Sequence, residues 1–141
     1  MAKHQILTAV DGSDHSAKVM DKTIEFARLF DAGVLLVYCH EKFPTIVVQQ
    51  PQRYEAMAGI LAQGEKLLEP FSQQLRDAGI AVEKRLLEEP AGKAISQLAK
   101  AEECKMIVMG SRGLSNLSHL FVGSVTNRVL QTAPCPVLVV C

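Results

Sequence analysis

The segment MGSRGLSNLSHLFVGSVTNRVL, residues 109–130, joins an apolar run to a helix-like stretch through a loop that contains three glycines. The apolar run before the loop predicts a buried strand, and the stretch after Gly123 predicts a helix to about Thr132. Gly110, Gly113 and Gly123 are spaced as G-x2-G-x9-G, with Ser124 directly behind the third glycine. A strand, a loop and a helix in this order form one βα unit, so the segment predicts an α/β fold.

Outside this segment, strand and helix patterns also alternate along the chain. Continuous or alternating apolar runs predict strands at 4–10, 34–39, 80–87, 105–109 and 137–140. Helices are expected between them: one capped by Ser13 or Asp14 and ended by Gly33, one over 53–78, one beginning at Pro90, and one to about Thr132. The segment 41–52 reads as a loop, and Pro70 predicts a kink or break in the second helix, which Gly79 would cap.

Five strands that alternate with helices predict one open, doubly wound parallel sheet with helices on both faces. The chain, residues 1–141, has no repeat or linker and reads as a single domain. In such sheets, ligands bind beyond the carboxyl ends of the strands, where the strand order reverses. The loop after strand one, which carries Asp11, and the glycine loop after strand four are therefore the places to expect a site.

Composition narrows the function classes. Lys plus Arg and Asp plus Glu are 15 each, which gives no electrostatic case for nucleic acid or an anionic membrane. No window is apolar enough for a membrane span, and the N-terminus lacks signal-peptide character, so a cytoplasmic protein is expected. The four cysteines have no C-x-x-C spacing and read as reduced thiols, and the four histidines have no metal-ligand spacing.

The glycine loop suits an anion. Glycine allows close backbone approach, and a helix N-terminus offers unpaired N–H donors with a partial positive charge. Ser124 adds a hydroxyl in the first turn and Thr126 a second, so phosphate is the expected ligand. The alternative is a long loop with Gly110 as a C-cap and Ser124 as an N-cap. A Walker A lysine and the G-x-G-x-x-G spacing are absent, and fast phosphoryl transfer is poorly supported.

The spacing Gly110-x-x-Gly113-x9-Gly123-Ser124 resembles the nucleotide-binding signature of the universal stress protein family, in its ATP-binding branch. Four further segments are similar to that family: HQILTAVDGSDHS (4–16), VLLVYCHE (34–41), EEPAGKAI (88–95) and APCPVLVVC (133–141). The resemblance covers nearly the whole chain. It implies strand order 3-2-1-4-5, a homodimer, and ATP, with or without Mg²⁺, bound across the ends of strands one and four.

The resemblance also implies roles for single residues. Val10 and Asp11 are both expected at the nucleotide. Asp11 would bind the ribose or adenosine side, although an Asp before Gly12 also caps turns. Tyr38 or Cys39 would offer backbone contacts to adenine. Contacts to the ribose and phosphates are implied for the glycine loop and the helix after it: Gly110, Gly113, Gly123, Ser124, Val125 and, in the first helical turn, Thr126. Arg112 is either near the phosphates or an exposed loop residue.

Three functions follow as hypotheses. The first is an ATP-binding stress or signalling module that hydrolyses ATP slowly or not at all. The second is a dimerisation module without ligand, against which the intact glycine signature argues. The third is a nucleotide-processing enzyme, whose H-x-G-H or S-G-G-x-D-S loop this chain lacks. A phosphoacceptor receiver domain would need an Asp at the end of strand three, where Leu86 and Leu87 stand.

The last strand suggests how two copies pair. Val137, Leu138, Val139 and Val140 form a run without charge or proline, directly after Pro136. At the edge of a sheet, such a strand invites pairing with its own copy about a two-fold axis. The alternative is a strand covered within one subunit. A homodimer through strand five is the expectation.

Overall fold

The structure, a computed structural model, describes residues 4–43, 50–111 and 123–141. Strands and helices alternate along this part of the chain. In order, the elements are β1 (His4–Ala9), α1 (Ser16–Phe30), β2 (Gly33–His40), α2 (Gln50–Asp77), β3 (Val82–Glu88), α3 (Ala91–Ala101), β4 (Met106–Gly110), α4 (Ser124–Thr132) and β5 (Val137–Val140). The predicted alternation is confirmed.

The five strands form one parallel sheet in the order β3-β2-β1-β4-β5, as predicted. Leu7 pairs with Leu35 on one side and with Ile107 on the other, which makes β1 the central strand. The direction of the crossovers reverses between β1 and β4. A crevice therefore opens at the carboxyl ends of these two strands.

Each face of the sheet has its own apolar core. Alternate strand residues such as Ile6 and Leu36 pack with α1 and α2 on one face. Their neighbours, such as Leu7 and Leu35, pack with α3 and α4 on the other. All four of these side chains are at most 1% exposed. Coverage on both faces explains why the strands read as continuous apolar runs.

The ends of α1 differ from the prediction. The N-cap is His15, without a side-chain cap bond, so neither Ser13 nor Asp14 caps this helix. At the other end Asp31, not Gly33, takes the left-handed conformation (φ 51°), and its N–H bonds to the carbonyls of the last turn. Gly33 is already the first residue of β2. Asp tolerates the left-handed region better than most residues, which explains the earlier stop.

The second helix is longer than predicted. It begins at Gln50 and therefore includes Pro51, which was assigned to the loop before it. Proline is tolerated in a first turn because its missing N–H would be unpaired there anyway. The helix also continues through Pro70, so, of the predicted kink or break, the break does not occur. Leu68 and Leu75, both fully buried, pack on the same core on either side of Pro70 and hold the two halves in place.

Smaller differences concern strand ends. The third strand begins at Val82 rather than Ile80, because Gly79 (φ 78°) and Ile80 form the turn that ends α2. The fourth strand extends to Gly110, which pairs with Val140. In the part of the chain that the structure describes, no helix combines the length and the apolar character that crossing a bilayer requires.

Candidate functional site

A cleft of about 520 Å³ lies at the carboxyl ends of the central strands. Its lining combines the turn after β1, the end of β2, part of α2, the start of α3 and the start of α4. Of the sequence-predicted site residues, the cleft brings together Val10, Asp11, Tyr38, Gly110, Gly123, Ser124, Val125 and Thr126. Arg112 and Gly113 lie outside the described residues.

The turn after β1 is built around Asp11. Its Oδ1 accepts hydrogen bonds from the Ser13 backbone N–H (2.9 Å) and from the Ser16 hydroxyl (3.2 Å). Gly12 takes a positive φ of 81°, which a side chain would disfavour. Asp11 therefore holds the turn, as its position before a glycine suggested, and it also lines the cleft.

The start of α4 points its free backbone donors at the same cleft. Gly123 is the N-cap, and its own N–H bonds to Ser111 O (2.7 Å). The N–H groups of Ser124 and Val125 belong to the first helical turn, which has no intrahelical acceptor for them. Gly123 has φ −60° and ψ 157°, which is extended backbone that other residues also adopt. The lack of a side chain at Gly123 leaves room in the cleft at the start of α4 and is not required by the backbone conformation.

The Thr126 hydroxyl was predicted as a second donor to the ligand, but it binds within the protein. This hydroxyl donates to Gly110 O at 2.7 Å, and the residue is only 3% exposed. The hydroxyl proton is thus committed to the protein and is not a second donor beside Ser124. The bond ties the first turn of α4 to the end of β4, which places the helix N-terminus against the cleft.

At the end of β2, backbone direction distinguishes Cys39 from Tyr38. Val37 O accepts from Val10 N (3.0 Å), so Val37 faces β1. In a parallel ladder, alternate residues bond to opposite neighbours, and Cys39 therefore faces the same way as Val37. The last β1 residue in this ladder is Ala9, so the backbone groups of Cys39 point beyond the end of β1. His40 O accepts from Glu89 N, just after β3, so by the same alternation the backbone groups of Tyr38 point toward β3.

Carboxylates converge on the cleft. Burial raises the pKa of the Tyr38 phenol, and Glu41, Glu89 and Asp11 raise it further. Burial, with a contribution from Glu89, raises the pKa of the Cys39 thiol to about 12. Among the described lining residues there is no lysine or arginine. The first turn of α4 lies in this lining and is a region suited to an anion, as a helix N-terminus.

Sequence reasoning missed several lining residues. Those on α2 and α3 reach the cleft only through tertiary packing: Ile60, Gln63, Leu67, Ala91 and Ile95. His15, Ser16, His40, Glu41 and Glu89 also line it. The one available signal was proximity, since these polar residues lie within five positions of Asp11, of Tyr38 or of the α3 start. No group of three or more His, Cys, Asp or Glu side chains in the described ranges could hold a metal ion.

Comparison of this chain with known proteins identifies the family to which it belongs. The model of the universal stress protein family matches residues 3–140. A universal stress protein of Thermus aquaticus is 36% identical over 96% of this chain and 96% of its own length. One from Bacillus subtilis is 31% identical over 97% of this chain and 98% of its own.

Solved structures share the fold. UspA of Lactobacillus plantarum superposes with a TM-score of 0.83 at 22% identity, covering 100% of this chain and 99% of that one. An Archaeoglobus fulgidus universal stress protein in complex with dAMP gives a TM-score of 0.68 at 23% identity, over 100% of both chains. An Arabidopsis thaliana family member with AMP bound gives 0.71 at 23% identity, over 97% of this chain and 90% of that one. The match over nearly the whole length shows that this chain belongs to the universal stress protein family.

Proposed function

We propose that this protein is a nucleotide-binding stress or signalling module and that the cleft binds an adenine nucleotide, with ATP as the ligand. The observation that carries the proposal is the meeting of the Asp11 turn and the α4 N-terminus in one cleft at the switch point of the sheet. The dAMP and AMP complexes of the two structural neighbours support it. The cleft volume of about 520 Å³ is within the range of small-molecule sites.

The two ends of the nucleotide have different surroundings. The phosphates would lie at the first turn of α4, where the N–H groups of Ser124 and Val125 and the Ser124 hydroxyl are donors. The adenine would lie at the end of β2, against the backbone of Cys39 and beside the Tyr38 ring. Asp11, in the turn after β1, would accept a hydrogen bond from a ribose hydroxyl.

Charge favours ATP with Mg²⁺ over ATP alone. Asp11, Glu41 and Glu89 line the cleft, and their carboxylates repel a polyphosphate. A magnesium ion carried on the phosphates reduces this repulsion. We therefore propose that the ion enters as part of the nucleotide complex, with no dedicated set of protein ligands.

Hydrolysis is proposed to be slow or absent. Asp11 already accepts two hydrogen bonds within the turn and is poorly placed to activate a water molecule. Turnover should lie far below the ordinary enzyme range of roughly 1 to 1000 per second. The output of binding would then be a change of shape or partner, in a cytoplasmic setting, rather than a product.

A homodimer through β5 belongs to the same proposal. The two edges of the sheet differ in charge. In β3, Glu83, Lys84 and Arg85 form ion pairs, and such charges guard an edge against pairing. In β5 all four residues are uncharged and half-buried. An antiparallel pair of β5 strands about a two-fold axis would satisfy their free backbone groups.

Titration calorimetry with ATP, ADP and AMP, each with and without Mg²⁺, tests the binding. The expected result is a saturable heat of binding for ATP. The affinity for ATP should be higher with Mg²⁺ present than without it. Native mass spectrometry of the same sample shows whether nucleotide and a second copy are bound. No heat and no thermal shift at millimolar ATP would leave the ligand-free dimerisation module as the better reading. Steady turnover that a site substitution abolishes would favour a nucleotide-processing enzyme.

A further inference from the structure

One hydroxyl at the cleft has no partner. Ser13 Oγ has less than 1 Å² of exposed surface and makes no hydrogen bond. Among the described residues, the only other buried side-chain nitrogen or oxygen without a partner is His4 Nδ1, which is not part of the cleft lining. Buried polar groups in folded proteins are nearly always hydrogen-bonded, so an exception inside a binding cleft calls for a functional reason.

The backbone groups of Ser13 and the Ser16 hydroxyl are hydrogen-bonded within the turn. The Ser13 N–H donates to Asp11 Oδ1 (2.9 Å), and Ser13 O accepts from Ser16 N (2.9 Å). The Ser16 hydroxyl donates to Asp11 Oδ1 (3.2 Å). The Ser13 hydroxyl takes no part in these bonds. The turn therefore does not need this hydroxyl, and Ser13 still lines the cleft.

A chain of hydrogen bonds connects this end of the turn with the start of α4. His15, two residues after Ser13, donates from Nε2 to Val140 O. Val140 O also accepts from Ser111 N (2.9 Å), and Ser111 O accepts from Gly123 N (2.7 Å). These bonds tie the residue two places after Ser13 to the N-cap of α4, and Ser13 and Ser124 line the same cleft.

We infer that Ser13 is a phosphate-binding residue whose hydroxyl turns from its enclosed position into the cleft and donates to a phosphate oxygen of the bound nucleotide. The inference rests on the proposed function. A serine side chain has three staggered χ1 positions, and leaving the present one breaks no hydrogen bond within the protein. A hydroxyl bond to a charged oxygen is stronger than one between neutral groups.

This role makes stability and affinity respond differently to Ser13→Ala. Removal of a hydroxyl that lacks a partner leaves the stability of the free protein unchanged or raises it. Removal of a donor to phosphate lowers ATP affinity by about 10- to 100-fold. Adenosine, which has no phosphate, should bind the variant as it binds the parent. A purely structural serine would show a loss of stability instead.

The experiment measures urea unfolding without ligand, and ATP and adenosine affinity by calorimetry, for the parent, Ser13→Ala and Ser16→Ala. Ser16→Ala is the control that must lose stability, since its hydroxyl is bonded within the turn. Weaker ATP binding with unchanged adenosine binding and unchanged or higher stability is the expected result for Ser13→Ala.

Three results would overturn the inference: parental ATP affinity in Ser13→Ala, an equal loss for ATP and adenosine, or a stability loss that matches Ser16→Ala. A parent that binds no nucleotide would instead overturn the proposed function and this role together. A parent that binds while Ser13→Ala binds equally well would leave the proposed function intact.

Discussion

His15 Nε2 donates a hydrogen bond to Val140 O, which joins the start of α1 to the end of the last strand, 125 residues away. The same carbonyl accepts from Ser111 N, the first residue after β4. One backbone oxygen thus holds together α1, β4 and β5 at the rim of the cleft. The position of β5 and the shape of the cleft therefore both depend on the hydrogen bonds to Val140 O.

The first prediction concerns this bond. His15→Ala removes the donor and should lower the free energy of unfolding by about 1 kcal/mol, because Val140 O keeps its bond from Ser111 but loses the second. His15→Gln retains an N–H donor of similar reach and should recover part of the loss. Urea unfolding followed by circular dichroism measures both. Equal stability of parent and alanine variant would show that the bond contributes nothing.

The second prediction concerns Gly123. In Gly123→Val, a branched side chain at the N-cap of α4 should obstruct phosphate approach and abolish ATP binding. Since Gly123 has a negative φ, the fold should survive. Gly59→Val is a matched control, because a side chain at Gly59 meets no atom within 4 Å. Calorimetry measures the ATP affinity of both variants. Undiminished binding by Gly123→Val would mean that the phosphates bind elsewhere.

The third prediction concerns assembly. Val139→Lys adds a charge to β5, which should oppose pairing of two edges and shift the protein toward monomer. Leu29→Lys is the control: Leu29 is 70% exposed on α1, and its substitution should leave assembly unchanged. Light scattering under reducing conditions, at micromolar protein, measures the mass. A monomeric parent, or a fully dimeric Val139→Lys variant, contradicts the pairing of β5 strands.

The fourth prediction concerns thiol reactivity. The thiolate is the reactive form, and a pKa of about 12 leaves roughly one Cys39 in 10,000 ionised at pH 8. Cys141 is exposed and should react with iodoacetamide first. The rate at Cys39 should rise about tenfold per pH unit between 8 and 10, and bound ATP should slow it further.

Mass spectrometry of peptides sampled over time follows labelling at Cys39 and Cys141 separately. Cys39→Ser is the control that removes the Cys39 signal, while Cys104 and Cys135, whose pKa is also raised, continue to label slowly. Labelling of Cys39 as fast as Cys141 at pH 8 would mean that Cys39 is more accessible than its half-buried place in the cleft implies. A rate at Cys39 that ATP does not change would place the nucleotide away from the end of β2.

Local sequence patterns determined the element order, because a strand covered on both faces reads as a continuous apolar run. The same reasoning found the turn at Asp11 and the helix start at Ser124, since glycine positions and cap residues act within a few residues of the chain. Element ends were less well predicted. Helix α1 ends at Asp31, whose own tolerance of the left-handed region was not recognised. In α2 the packing of Leu68 and Leu75 against the sheet outweighs the break that Pro70 favours.

Only the tertiary structure decided which residues of the helices complete the lining of the cleft. Gln63 and Leu67 on α2 and Ile95 on α3 line the cleft through packing between elements distant in sequence, and no local pattern encodes such contacts. The commitment of the Thr126 hydroxyl to Gly110 O and the lack of a partner at Ser13 Oγ are likewise properties of three-dimensional contacts. Sequence determined which residues reach the carboxyl edge of the sheet. The fold decided which of their polar groups are already satisfied, because hydrogen bonding depends on distance in space rather than along the chain.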